Sequence, residues 1–305
     1  MPYATGIDWT QPGRLDRLKE LVAQGRTHPE ISDILTAEFN LPVSVQAVSQ
    51  VKYRYRVVRH LIPIDNKIPL YFDESIPSGN YIVFSDAHAP YYDEVYVNRL
   101  LFVADKFKVK KAVSVGDTLD MDFAKIFYDP EKSDLDTEIV RTEPLFVGLQ
   151  YFDKVYFLRG NHENRVGRMT DGKIQAQHIF KLFGEKTFCE KFTYIPNTRL
   201  MIGKNWLLTH PKNYSQISGS VAVRLAEKYH RHVINAHGHF IALRYDRSGK
   251  YMGIDLGGLF KHEKIKYIHD STTTHPEWNP GFGMIYNDKF YHFHEGTDWD
   301  FWTKT

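Results

Sequence analysis

Apolar and polar positions follow one rhythm in the first sixty residues of this chain and another after residue 80. From Pro12 to about Val22, Leu15, Leu18, Leu21 and Val22 recur at helical spacing, and Gly25 ends the segment. Thr27 reads as the N-cap of a second helix, with Pro29 and Glu30 in its first turn and Ile31, Ile34, Leu35 and Phe39 on one face. After Asn40-Leu41-Pro42, Ser44 starts a third helix carrying Val45, Val48, Val51 and Tyr55. Helix, short turn, helix is the helix-turn-helix pattern, whose last helix can enter a major groove. Residues 1–60 are therefore expected to form a small helical, helix-turn-helix-like module.

The rhythm lapses over residues 61–80, where Pro63, Pro69 and Pro77 precede Ser78-Gly79-Asn80. That composition predicts a linker. From Tyr81 onwards, short apolar runs alternate with helical stretches, and residues 81–305 read as one α/β domain. Strands are expected at 81–85, 112–115, 155–158, 200–202, 205–209 and 233–235, followed by hairpins over 241–255 and 284–294. Helices are expected over 98–109, 136–152 with an interruption at Pro144, around 174–183, and over 221–229.

Composition adds little until the histidines are counted. With 305 residues, 25% charged and 42% hydrophobic, the chain has the profile of a soluble globular protein with room for a sizeable core. A formal charge of +2 does not argue for nucleic acid, so any basic surface must be local. It is local in the third helix: Lys52, Arg54, Arg56 and Arg59 lie between Ser44 and His60 without an Asp or Glu. These four are the candidate DNA contacts, and a solvated face on a bundle used for oligomerisation is the alternative. The single cysteine, Cys189, excludes an internal disulfide. No signal-like amino terminus or long apolar run is present, so a cytoplasmic protein with no membrane partner is expected, in a bacterium or a phage-infected host. Fifteen histidines make a metal site worth seeking.

The predicted strand ends supply that site. They deliver Asp86 and His88, then Asp117, then Asn161 and His162, then His210, and finally His237 and His239. Carboxylate, amide carbonyl and imidazole suit divalent ions such as Mn, Fe or Zn rather than a thiolate cluster. Residues two apart on a strand share a side, so Asp86 with His88, and His237 with His239, can each reach one pocket. Seven ligands exceed the needs of one tetrahedral ion and suit two ions sharing a carboxylate. Two metals about 3.5–4 Å apart can generate a hydroxide nucleophile and neutralise a phosphoryl group during in-line displacement. Spacing alone decides nothing, since His-x-His also occurs at His230/His232 and His292/His294. Those two pairs read as surface or satisfied histidines.

Asp86-x-His88, Gly116-Asp117-x-x-Asp120, Gly160-Asn161-His162-Glu163, a lone His210 and His237-x-His239 resemble, in that order, the calcineurin-like metallophosphoesterase family. The resemblance runs from about Tyr81 to Gly258 and is closest to its nuclease-like members and those of phages and bacteria. It implies two mixed β-sheets packed as a sandwich flanked by helices. It also implies a dinuclear centre in which Asp86, His88 and His239 hold one metal, Asn161, His210 and His237 hold the other, and Asp117 bridges them. Manganese is the first expectation, with iron, zinc, nickel or magnesium as alternatives. His162 would stabilise the phosphate and protonate the leaving oxygen. Ala236 and Thr209 stand where the family usually has Gly, and Asp120-Met121-Asp122 and Ala89 depart from its protein-phosphatase branch.

Three further expectations concern residues around this set. Arg165 and Arg168 are candidates for a substrate phosphate or for surface salt bridges. Asp120 either orients a histidine ligand or caps a turn. Asp255-Leu256-Gly257-Gly258 occupies the place of a loop that closes over the site. The expected activity is metal-dependent hydrolysis of phosphate esters, with a nucleic-acid diester first. The alternatives are a nucleotide or phosphoprotein phosphatase, or a DNA-binding scaffold with an inert esterase domain.

Overall fold

The computed structural model describes residues 7–54, 74–125, 133–182, 190–264 and 278–304. Its contacts divide the chain into two units, Met1–Leu70 and Tyr71–Thr305.

In the first unit α1 spans Arg14–Ala23, α2 His28–Phe39 and α3 Val45–Arg54. A capping box starts α2: the Thr27 hydroxyl accepts from Glu30 N, while the Glu30 carboxylate accepts from Thr27 N at 2.7 Å. Asn40, in the left-handed region at φ 51°, ends it. The turn into α3 is fixed by side chains, with Ser32 Oγ donating to Val43 O at 2.6 Å and Val43 N donating to Thr36 Oγ1 at 3.0 Å. Leu18, Leu21, Ile31, Leu35 and Val48 form the core, joined by Ile7 and Trp9. Val45, in the first turn of α3, is exposed, and Ala47 points inward with Val48. Tyr55, Arg56 and Arg59 lie outside the described residues, as does the Arg54 side chain.

The second unit contains two six-stranded mixed sheets. Its strands are β1 Ser75–Ile76, β2 Tyr81–Phe84, β3 Lys111–Ser114, β4 Lys154–Leu158, β5 Phe192–Ile195 and β6 Arg199–Ile202, then β7 Trp206–Thr209, β8 His232–Asn235, β9 Ile241–Tyr245, β10 Met252–Leu256, β11 Gly281–Tyr286 and β12 Lys289–His294. One sheet has the order β1-β6-β7-β8-β10-β9 and the other β12-β11-β2-β3-β4-β5. In β2–β4, strand alternation separates two cores. Tyr81, Val83, Val113 and Leu158 meet Leu200, Leu208, Ile234 and Ile254 of the other sheet. Ile82, Phe84, Ala112, Val155 and Phe157 face the opposite way, towards helices α4 (Glu94–Lys106) and α5 (Leu135–Leu149). Four shorter or later helices complete this unit among the described residues: α6 Asn164–Met169, α7 Ala176–Leu182, α8 Ser220–Tyr229 and α9 Trp299–Lys304.

Several expectations need correction. Residues 75–76 are not linker, because they pair in parallel with Met201 and Ile202 of β6. The helix expected from residue 98 begins at Glu94, since the Asp93 carboxylate caps Val95 N and Tyr96 N. Pro144 does not interrupt α5. It sits on the exposed side near Val140, which is 67% exposed, where the carbonyl that loses its partner can meet water. Both β5 and α6 escaped the apolar pattern.

Candidate metal centre

Strand ladders run past their own ends to build the site. Beyond β2 and β3 the backbone stays zipped, with Asp86 N donating to Gly116 O (3.0 Å), His88 N to Asp117 O (3.0 Å) and Ala89 N to Thr118 O (2.9 Å). Asp86, His88, Asp117, His237 and His239 all adopt positive φ, between 44° and 75°. The expectation that each pair shares a strand face is therefore wrong in detail. The pairs lie in loops beyond β2 and β8, and left-handed turns swing them inward at a conformational cost of roughly 1 kcal/mol or more each.

The loops approach so closely that two glycines are obligatory. A Cβ on Gly116, itself at φ 86°, would lie 2.6 Å from His210 Nδ1, and one on Gly160 would overlap the Asp117 carboxylate. Behind them Glu163, a motif residue without an expected role, is buried and takes three backbone donors. These are Gly160 N (2.8 Å), Asp117 N (3.0 Å) and Leu119 N (3.0 Å). Glu163 thus ties the second and third loops together. Only its position between the His162 site residue and a helix could have signalled this.

The expected residues converge. Donor atoms of Asp86, His88 and His239 lie within 4.8 Å of one another, as do those of Asp117, His210 and His237. His239 Nε2 is 3.2 Å from Asp86 Oδ1 and 3.4 Å from His88 Nε2. His210 Nε2 is 2.9 Å from Asn161 Oδ1 and 3.3 Å from Asp117 Oδ2. Asp117 also stands with His88 and His162, so its carboxylate is common to both halves.

The donor set fits two divalent cations, on an observation about His210. Its Nδ1 donates to Val115 O at 2.9 Å, so the neutral ring presents a bare Nε2 lone pair to two oxygens. That contact is favourable only with a positive charge at Nε2, either a proton or a cation. Accordingly, against its burial, Asp117 pushes the His210 imidazolium up to about 10. Burial opposes ionisation of Asp86 and Asp117, but His239 beside the first and His210 beside the second hold both carboxyls below the ordinary range. Burial depresses His88 to about 4, which keeps it neutral as a ligand must be.

Asp120 reaches His88 Nδ1 at 3.0 Å and His162 Nδ1 at 2.9 Å. It therefore orients histidines and does not merely cap a turn. Arg165 donates to Asp120 O (2.8 Å) and to His162 Nε2 (2.9 Å), which puts it in the cluster. Arg168 is exposed and lines a separate cavity. Phe260, which sequence reasoning missed, packs edge-on against His88 and His239, and Trp278 against His239. Asp255 lies on β10 and accepts from Asn235 Nδ2 (2.8 Å), while the following Gly257-Gly258 leads to that Phe260 wall. The other His-x-His pairs stay outside: His232 packs on Trp206, and His292 Nε2 donates to Leu256 O. In the helical unit, Lys52 Nζ lies 3.5 Å from His28 Nε2.

Residues 79–268 match the family model described as calcineurin-like phosphoesterase. No curated relative matches the chain. Among solved structures it is similar to an archaeal phosphodiesterase, at 12% identity over 70% of this chain and 99% of that one, with a TM-score of 0.38. The Escherichia coli phosphoesterase Yfce shares 14% identity over 69% of this chain and 90% of its own, with a TM-score of 0.34. The Pseudomonas putida nuclease MPE shares 11% over 70% and 87%, with a TM-score of 0.31.

Proposed function

The chain belongs to the calcineurin-like phosphoesterases and is a metal-dependent phosphoester hydrolase; from that premise we propose that it hydrolyses phosphodiesters of nucleic acid. The observation carrying the chemistry is the convergence of seven ligand-type side chains from both sheets on one point. In this reading Asp86, His88 and His239 would hold one cation and Asn161, His210 and His237 the other, with Asp117 available to both. Two divalent ions, manganese first, supply a water of lowered pKa and positive charge for the phosphoryl oxygens when bound.

The chain's own groups do the rest. Arg165 can only donate, so its contact makes His162 Nε2 an acceptor and leaves the imidazole proton on Nδ1, towards Asp120. Burial opposes protonation of His162, but Asp117 and Asp120 outweigh it and raise its proton affinity. His162 can therefore take a second proton once Arg165 leaves Nε2, and a substrate phosphate is the natural partner to draw Arg165 away. His162 would then donate from Nε2 to the leaving oxygen. Phe260 and Trp278 limit water on the His239 side.

The helical unit supports the choice of nucleic acid. Its α2-turn-α3 arrangement leaves Val45, Gln46, Ser49 and Gln50 exposed on α3, with Lys52 and Arg54 further along. Amide side chains and a small apolar group suit base edges, and cations suit phosphates. The test is a panel of mono- and diesters, including DNA and RNA oligonucleotides, with full-length protein and Mn²⁺. Cleavage of diesters and oligonucleotides is expected. Turnover confined to phosphomonoesters would reject the assignment in favour of a phosphatase.

A further inference from the structure

Arg168 draws attention to a concave site beside the metal-centre loops. A cavity of about 390 Å³ is lined by Arg159 at the end of β4, Asn164 and Arg168 on α6, and Tyr194 on β5. None of the seven ligand-type residues lines it, and neither do His162 or Arg165. Arg159 is half-buried, yet neither its guanidinium nor that of Arg168 has a hydrogen bond or ion pair with another described residue. Two such groups on one concave wall bring ten N–H donors and two fixed charges that no other described residue pairs with.

Two acidic residues share the lining, and neither forms an ion pair with these arginines. The Glu163 carboxylate is committed to the three backbone N–H groups described above, and Asp171 is exposed. Paired guanidinium forks match a phosphate dianion, which accepts through several oxygens at once. The volume falls within the range of about 300–1,000 Å³ usual for small-ligand pockets and exceeds what a lone phosphate needs. Beside the arginines stand the ring of Tyr194, which leans on Phe180 at 5.1 Å, and the amide of Asn164. An aromatic ring and an amide suit a planar heterocycle.

We propose that this cavity binds a nucleoside monophosphate, with the phosphate on Arg159 and Arg168 and the base towards Tyr194 and Asn164. The site is distinct from the metal centre, and its existence does not depend on which ester that centre cleaves. Glu163 belongs both to its wall and to the clamp on Asp117, so an occupant would sit one residue away from the catalytic loops.

The test uses full-length protein stripped of metal with a chelator, so that no cation in the centre can hold phosphate. Adenosine 5′-monophosphate is the probe, read by isothermal titration and by thermal melting. Saturable binding of the nucleotide is expected, with adenosine inactive and inorganic phosphate at least tenfold weaker. Arg168→Ala should weaken binding about tenfold, and Arg159→Ala/Arg168→Ala further, as loss of charged hydrogen bonds dictates. Arg168→Lys should recover part of the loss. All three variants should keep wild-type hydrolysis of a small diester when metal is restored, which also shows that they fold. No binding to wild type, equal binding of adenosine or phosphate, or undiminished binding to a folded Arg168→Ala variant would each overturn the proposal.

Discussion

At the scale of single residues, the centre is a set of side chains whose charges make sense only together. Asp117 touches both halves, so Asp117→Asn should abolish metal-dependent hydrolysis while leaving a folded protein; normal turnover would remove Asp117 from its assigned role. His162→Ala should retain metal but lose roughly 10²–10⁴-fold in kcat, measured beside metal content. His210 is raised to about 10 in the cation-free protein, so it remains protonated below that pH. A cation must displace that proton, so uptake at pH 7–8 should release about one proton and metal affinity should climb with pH. Titration in buffers of different ionisation enthalpy counts the protons, and a pH-independent affinity would contradict the assignment. That Asp, Asn and His side chains meet here could be read ahead from the order of the strand ends, because ligand chemistry restricts the residue types. Their geometry was not. A period-two strand argument put Asp86 and His88 on one face, whereas two left-handed residues beyond β2 bring them in. Glu163 and Phe260 were invisible for another reason: a buried clamp and a ring wall are defined by loops distant in the chain.

At the scale of elements, the apolar pattern reported strands buried on both faces and amphipathic helices, and failed where other forces set the boundary. The start of α4 is a capping effect of Asp93, and α6 is too short to show a period. In α5 the pattern misjudged Pro144, whose cost is small on a wet face. The same helix carries Glu138, which burial pushes up to about 7, with Asp120 and Asp122 adding to the rise against bonds from Phe123 N and Ser133. A carboxyl raised in the folded state costs nothing below about pH 4.5, and that cost grows as pH climbs to about 7. Glu138→Gln should therefore stabilise the protein at pH 8 by on the order of 2 kcal/mol and hardly at all at pH 4. Paired melts at the two pH values check this, and an equal shift at both would point to packing instead.

At the scale of the whole molecule, contacts divide the chain at Leu70, and the strand Ser75–Ile76 lies inside the expected 61–80 linker because two residues carry no periodicity. Removing residues 1–70 should leave turnover of small diesters intact. It should weaken binding of duplex DNA and flatten its dependence on salt, since each lost phosphate contact lowers the slope by about 0.9. Unchanged affinity and slope would make the helical unit an oligomerisation piece. The seven ligand-type residues also divide by sheet: Asp86, His88, Asp117 and Asn161 follow strands of one, while His210, His237 and His239 follow strands of the other. Cations held between them would act as a suture across the seam of the sandwich. Chelation should then speed amide exchange at that mouth and leave the far end, pinned by Trp206 Nε1 on Asp288, nearly unchanged.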